Sequence, residues 1–326
     1  MYEPPFERST AIDRLAMEIS EMVGRLVAGS GLSASPTLHR RLRIQTIYSS
    51  LATEGNDLAE EQVTAILEGK RVLGRERDIR EVQNADRAYA LLDQLDPCSL
   101  EDLLRVHGVM MDGLVAHPGT LRNANVGVYD SERLIHAGTP ARYVPMVLGE
   151  LFQWLASTDM HPLLSSCVFH YEFEFIHPFE DGNGRCGRLW HTLLLARWRP
   201  ALAYLPVESV ILRRQDEYYA ALNESNTRGE SGPFVQFMLE AIHEALTPFC
   251  EQPATRESRE KTILRLMREN PRITLPALAQ RLGVSQSTVE RAVVDLRAQG
   301  RVTREGNRRS GIWKVPQSPG SGSLEP

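Results

Sequence analysis

Apolar positions recur every three or four residues along most of this chain, and that spacing predicts helices. Ile12, Leu15, Ala16, Ile19, Met22, Val23 and Leu26 mark one face of a helix over residues 8–30, which Gly29-Ser30-Gly31 breaks. Leu42, Ile44, Ile47, Tyr48 and Leu51 repeat the pattern from Pro36 to about Thr53, where Gly55-Asn56 is a natural stop. A short helix over 60–68 and a longer one over 75–95 come next. Another is opened by Ser99, with Asp102 three residues on. The pattern then changes. Residues 117–145 are dense in Gly, Pro and Asn with short alternating runs, which predicts a loop carrying a β-hairpin. Residues 144–156 return to an apolar helix.

The stretch 162–176 fits two templates. Phe169, Tyr171, Phe173 and Phe175 alternate like a strand, while Leu164, Val168, Phe169 and Phe175 tolerate a helix, so period alone leaves it open. Helices are predicted again from Gly184 to Pro200, over 208–226 and over 234–246. The expected fold class is therefore all-α with one small hairpin.

A polar linker at 251–256 separates a different pattern: helix, turn, helix, hairpin. Thr274 caps the run LPALAQRL, Gly283-Val284-Ser285 turns, and Ser285 to Leu296 forms a helix with Val289, Val293 and Leu296 inward. Gln286, Ser287, Thr288 and Arg291 face outward. Two short strands flank a basic loop, Arg304 to Arg309. This module resembles a winged helix-turn-helix domain. The resemblance implies DNA in the major groove of which the second helix would lie, with Arg304, Arg308 and Arg309 on phosphates. A protein-docking or homodimer contact is the alternative use.

Charge sharpens that division. Residues 256–314 hold fourteen Lys or Arg against six Asp or Glu, a local net of +8, which leaves −13 for the rest of a chain whose net is −5. Such asymmetry suggests an anionic partner for the C-terminal module. Four widely spaced cysteines without a CxxC predict reduced thiols in the cytoplasm rather than a zinc site. The N-terminus lacks an apolar core segment and no run approaches a membrane span, so neither a signal peptide nor a membrane is expected.

The chemistry concentrates in His177-Pro178-Phe179-Glu180-Asp181-Gly182-Asn183-Gly184-Arg185-Cys186-Gly187-Arg188. The proline biases His177 toward an extended backbone. Glu180 and Asp181 form an acidic pair suited to a hard cation such as Mg²⁺. Gly182, Asn183 and Gly184 allow backbone N–H groups to approach an anion at the start of the next helix. Arg185 and Arg188, three apart, share a face there. A titratable base, a metal ligand, an anion nest and two guanidinium forks make a kit for nucleotidyl or phosphoryl transfer.

That segment resembles the signature of the Fic family, HPFx-x-GNGRxxR with an acidic residue after the Phe. A second stretch, Ser50-Leu51-Ala52-Thr53-Glu54-Gly55, matches the family's inhibitory motif [ST]xxxE[GN] upstream of the core. A glutamate in the last turn of a helix is also unfavourable with the helix dipole, which hints at a cationic partner. The resemblance implies a protein adenylyltransferase that uses ATP and Mg²⁺ to modify a hydroxyl of an unknown target protein. It implies His177 as base, Glu180 on the metal, and Gly182, Asn183, Gly184, Arg185 and Arg188 on the phosphates. Glu54, with Ser50 in its motif, would pair with Arg188 and block the γ-phosphate, and Tyr218 and Tyr219 would flank the base. The hairpin, which the resemblance places from about Val126 to Ala137, would present the target. Transfer of other groups, removal of AMP, or nucleotide sensing by a DNA-binding regulator stay open. The expected organisation is an N-terminal helical region over 1–110 with its inhibitory helix at about 36–55, and a catalytic core over 111–250. The linker at 251–256, the winged helix over 257–316 and a disordered tail over 317–326 complete it.

Overall fold

The structure is a computed structural model that describes residues 2–28, 36–125, 128–130, 133–136, 138–251, 256–282, 285–305 and 311–316. The Gly29-Ser30-Gly31 break, both ends of the expected 126–137 hairpin and part of the 251–256 linker lie outside the described residues. So do Gly283-Val284, Arg308, Arg309 and the tail. The chain divides into two compact units, Met1–Arg25 with Leu32–Pro248, and Leu26–Gly31 with Phe249–Pro326.

In the first unit, α1 spans Thr10–Ala28, α2 Pro36–Thr53, α3 Glu60–Leu67, α4 Glu76–Tyr89 and α5 Leu100–Met110. The expected helix over 75–95 ends early, and a single 3₁₀ turn, Leu92–Gln94, follows it. Ser99 caps α5, its hydroxyl accepting from the Asp102 N–H. Strands β1 Val128–Asp130 and β2 Arg133–His136 pair antiparallel, with Tyr129 opposite Leu134 and an irregularity between Val128 and Tyr129. Then come α6 Val144–Ser157, α7 Pro162–Ile176, α8 Asn183–Trp198, α9 Val207–Arg213, α10 Gln215–Arg228 and α11 Gly232–Glu251.

The ambiguous 162–176 stretch is α7. It is buried on almost every side, from Leu163 through Phe173, so no amphipathic period survives to be read. α8 is equally enclosed and packs along α7. Against this pair lie α5 and α6, while α2 packs on α8 and α9. The helix expected over 208–226 is two helices. Arg214 breaks it with φ −113° and ψ 35°. Its guanidinium leaves the helical row for Glu217 at 2.6 Å and Glu240 at 3.0 Å and lies over the Phe237 ring. That tertiary capture has no local signature.

The second unit holds α12 Arg256–Glu269, α13 Leu275–Leu282, α14 Gln286–Ala298, β3 Thr303–Glu305 and β4 Ile312–Lys314. Its core gathers Ile263, Met267, Leu278, Val289, Val293, Leu296, Val302 and Trp313. Trp313 ties the hairpin down: its backbone N–H donates to Pro271 O and its indole N–H to Ile273 O. Among the described residues no helix is long and apolar enough to cross a membrane.

Candidate active site

The turn from α7 into α8 builds the site. His177 caps α7 at φ 51° and ψ 64°, and it alone among the described non-glycine residues has a positive φ. The extended backbone that Pro178 predicts is thus corrected to a left-handed one, a conformation costing about 1–3 kcal/mol for such a residue. Tertiary contacts hold it. The His177 N–H closes α7 on Phe173 O, and its carbonyl accepts from the Arg122 guanidinium at 2.6 Å. The imidazole is largely buried, and Nδ1 has no hydrogen-bond partner. Burial lowers its pKa below the ordinary 6.5, and the Glu174 carboxylate works partly against that.

The loop after His177 is fixed from both sides. The Asn183 carboxamide accepts from the Phe179 N–H and donates to Phe179 O, both at 2.9 Å, so it cinches the loop shut. His107 on α5 stacks on Phe179 with ring centroids 3.7 Å apart. Its Nδ1 accepts from the Gly119 N–H, so its proton sits on Nε2 and donates to Asp181 O at 3.0 Å. His107 thus acts as a structural strut between α5 and the loop. Gly182 needs its glycine: φ is 88°, and a Cβ there would lie 2.6 Å from the Met111 sulfur.

The first turns of α8 present two arginines that are 3% and 2% exposed, Arg185 and Arg188. Arg185 pairs with Asp181 at 2.7 Å and with Glu81 of α4 at 3.2 Å, and its buried Nε has no partner. Arg188 pairs with Glu54 at 2.8 Å and donates to the Ser50 carbonyl at 2.9 Å and hydroxyl at 3.1 Å. Burial opposes the charge on Arg188, but Glu54, together with Tyr218 and Glu174, more than offsets it and holds the guanidinium firmly protonated. Any side chain at Gly184 would run into the Glu54 carboxylate. The segment just past α2 reaches Arg185 too, because the Asn56 amide donates at 2.8 Å to Glu81, the partner of Arg185.

Behind His177 lies Glu174, whose carboxyl is pushed up to about 7 by burial. One of its oxygens is 3.7 Å from His170 Nε2, too long for a hydrogen bond. Burial drops His170 to about 3, so that imidazole is neutral and the contact is no ion pair.

The structure thus brings Ser50, Glu54, His177, Gly182, Asn183, Gly184, Arg185 and Arg188 together around one turn. It leaves others outside. Tyr218 is a core residue, 2% exposed among Phe234, Phe237 and Tyr219 with its hydroxyl 3.4 Å from His170. Its ring presents almost no surface in this structure, whereas a base-flanking role needs an open face. Tyr219 is half-buried, within electrostatic reach of Glu54 and Arg188. Glu180 is exposed and lines a recess of about 50 Å³ with His107 and Arg122, whereas Asp181 is the acid beside Arg185. Glu81, Asn56, Glu174 and Arg122 were not singled out from the sequence. Only Glu174, three residues before His177 on one helix, had a spacing that pointed to it.

In the second unit, Ser285 caps α14 and leaves Gln286, Ser287 and Arg291 exposed at its start. Arg304, expected on a phosphate, lies over the Trp313 ring at 4.7 Å.

A model of the Fic/DOC family matches residues 97–195, and a model described as winged helix-turn-helix DNA-binding matches residues 256–303. A solved Fic family protein from Desulfovibrio desulfuricans is 39% identical, with a TM-score of 0.75, over 99% of this chain and all of that one. The chain belongs to the Fic family. The Fic protein adenylyltransferases of Caenorhabditis elegans and Nematostella vectensis are each 31% identical, over 64% and 60% of this chain. This Fic chain spans 42% and 45% of those two curated relatives, less than half of either. A solved Fic domain-containing protein from Bacteroides thetaiotaomicron, 18% identical with a TM-score of 0.59 over 74% of this chain and 97% of its own, shares the Fic fold.

Proposed function

We propose that this chain transfers AMP from ATP to a hydroxyl side chain of a target protein, and that Glu54 holds the transferase off. One observation carries the reading. Two buried guanidiniums open α8 beside a partly buried histidine, and one of them is held by a carboxylate from the end of α2. Buried forks of this kind suit polyphosphate. The target hydroxyl attacks the α-phosphorus and its proton passes to His177. The bond from that phosphorus to the bridging oxygen breaks, and pyrophosphate leaves with an AMP ester on the target. Burial keeps His177 in the neutral form a base requires. Arg185 would bind the β-phosphate and Arg188 the γ-phosphate. Glu54 occupies the Arg188 position, so ATP would seat unproductively.

Among the described residues no three His, Cys, Asp or Glu side chains converge to hold a metal unaided. A single carboxylate still fits Mg²⁺, which takes its other ligands from water and substrate phosphates and neutralises their charge. We assign that carboxylate to Asp181 rather than Glu180, because Asp181 adjoins Arg185. For the second unit we infer DNA binding through the exposed start of α14 and the local positive charge.

The test is incubation of wild type and Glu54→Gly with α-labelled ATP and Mg²⁺. Label on protein only in the variant supports both the transferase and its brake. Equal label in both removes the brake. No label in either, with α-labelled UTP also inert, counts against nucleotidyl transfer. Loss of label from pre-labelled protein in wild type but not in Glu54→Gly would favour AMP removal by a water at Glu54 instead.

A further inference from the structure

We infer that Arg122 is a positioning residue for the reaction, fixing His177 and both stems of the hairpin through one buried guanidinium. The inference rests on the transferase reading above. Arg122 is 6% exposed and makes no ion pair among the described residues. Its donors go to backbone carbonyls instead. Nε donates to His177 O at 2.6 Å and Nη2 to Ile176 O at 3.2 Å, while Nη1 donates to Ala124 O at 3.0 Å and Nη2 also to Thr139 O. Its own N–H donates to Pro178 O at 3.0 Å.

The chemistry of these acceptors explains the choice of residue. The last carbonyls of a helix lack intrahelical partners and carry the negative end of its dipole. The left-handed turn at His177 brings the carbonyls of Ile176 and His177 to one point, where a fork with five donors serves both. Ala124 and Thr139 precede and follow the hairpin strands β1 and β2. The same group therefore sets where the hairpin begins and ends relative to the base. A lysine has neither the fork nor the reach to hold four carbonyls. Arg122 also places a positive charge near the His177 ring, alongside the carboxylates of Glu174 and Glu54, the other charged groups that face it.

Arg122→Lys and Arg122→Met, each made in the Glu54→Gly chain, test this. Both are expected to label at least about ten-fold more slowly than Glu54→Gly alone, with KM for ATP within about two-fold, because misplacement of reacting groups lowers turnover rather than nucleotide affinity. Removing the cation favours the imidazolium, so the acid limb of the pH–rate profile should move to higher pH in Arg122→Met and stay in Arg122→Lys. Labelling within two-fold of the parent would overturn the inference. So would a loss of labelling in Arg122→Lys that tracks lost ATP binding and a collapsed thermal transition. If the Glu54→Gly parent itself transfers no label, the transferase reading fails first, and the two failures are distinct.

Discussion

The two units carry positive charge in opposite ways. In the first, Arg185 and Arg188 are buried and each is met by a carboxylate from another element. In the second, Arg291 and Arg297 on α14 and Arg265 and Arg268 on α12 stand exposed. A buried guanidinium without its partner is costly, so the first arrangement demands either an internal acid or a ligand of matching geometry. Exposed charges are screened within about 8 Å at physiological salt and bind many anions weakly. Under the proposed function, the first arrangement suits one small polyanion in one pose and the second a long one in many.

The largest effect that would sharpen this contrast is at the base. In the Glu54→Gly chain, His177→Ala should lower labelling by roughly 10²–10⁴-fold while ATP binding, measured by calorimetry, stays close to the parent. Lost ATP binding would make His177 part of the nucleotide cradle instead. Tyr218→Ala should cost about 3–5 kcal/mol in urea unfolding, as aromatic truncation in a core does, whereas Tyr218→Phe should label like its parent. A specific labelling defect in Tyr218→Phe would return that residue to the site. Asp181→Asn should slow labelling and raise the Mg²⁺ concentration required, and Glu180→Gln should do neither; the reverse order would move the metal to Glu180.

Acid should be tolerated next. Because burial lowers the His177 pKa, its neutral form persists below the ordinary value of 6.5, so the acid limb should lie under that pH. Removing Glu54, whose charge raises the His177 pKa, should take the limb lower still. The smallest effect belongs to the second unit. Arg291→Ala should weaken binding to duplex DNA and reduce the slope of log K against log salt by about one. Salt should meanwhile leave labelling by the first unit nearly unchanged. If labelling fell with salt as steeply as DNA binding, the contrast between buried and exposed charge would not hold.

Much of this was legible in the residues. The 177–188 run carries its own turn, helix start and guanidinium spacing, because each depends on neighbours within one helical turn. The pairing of Glu54 with Arg188 was expected from its motif, and the carboxylate stands 2.8 Å from the guanidinium. Elements with clear amphipathic period, such as α1, were readable to within about two residues at each end. α7 was not, since a helix enclosed on all sides shows no period. Nor was the break at Arg214, where a side chain answers to Glu240 and Phe237 on another helix.

The sequence by itself therefore determined the helical class, the charge division and the concentration of chemistry from His177 to Arg188, all of them local properties. Only the tertiary structure decided the left-handed His177, the burial of Tyr218, the meeting of Glu81 with Arg185, and the hold of Arg122 on four carbonyls. Each of these depends on groups brought together from distant parts of the chain, where packing and the need to satisfy buried polar atoms outweigh local preference.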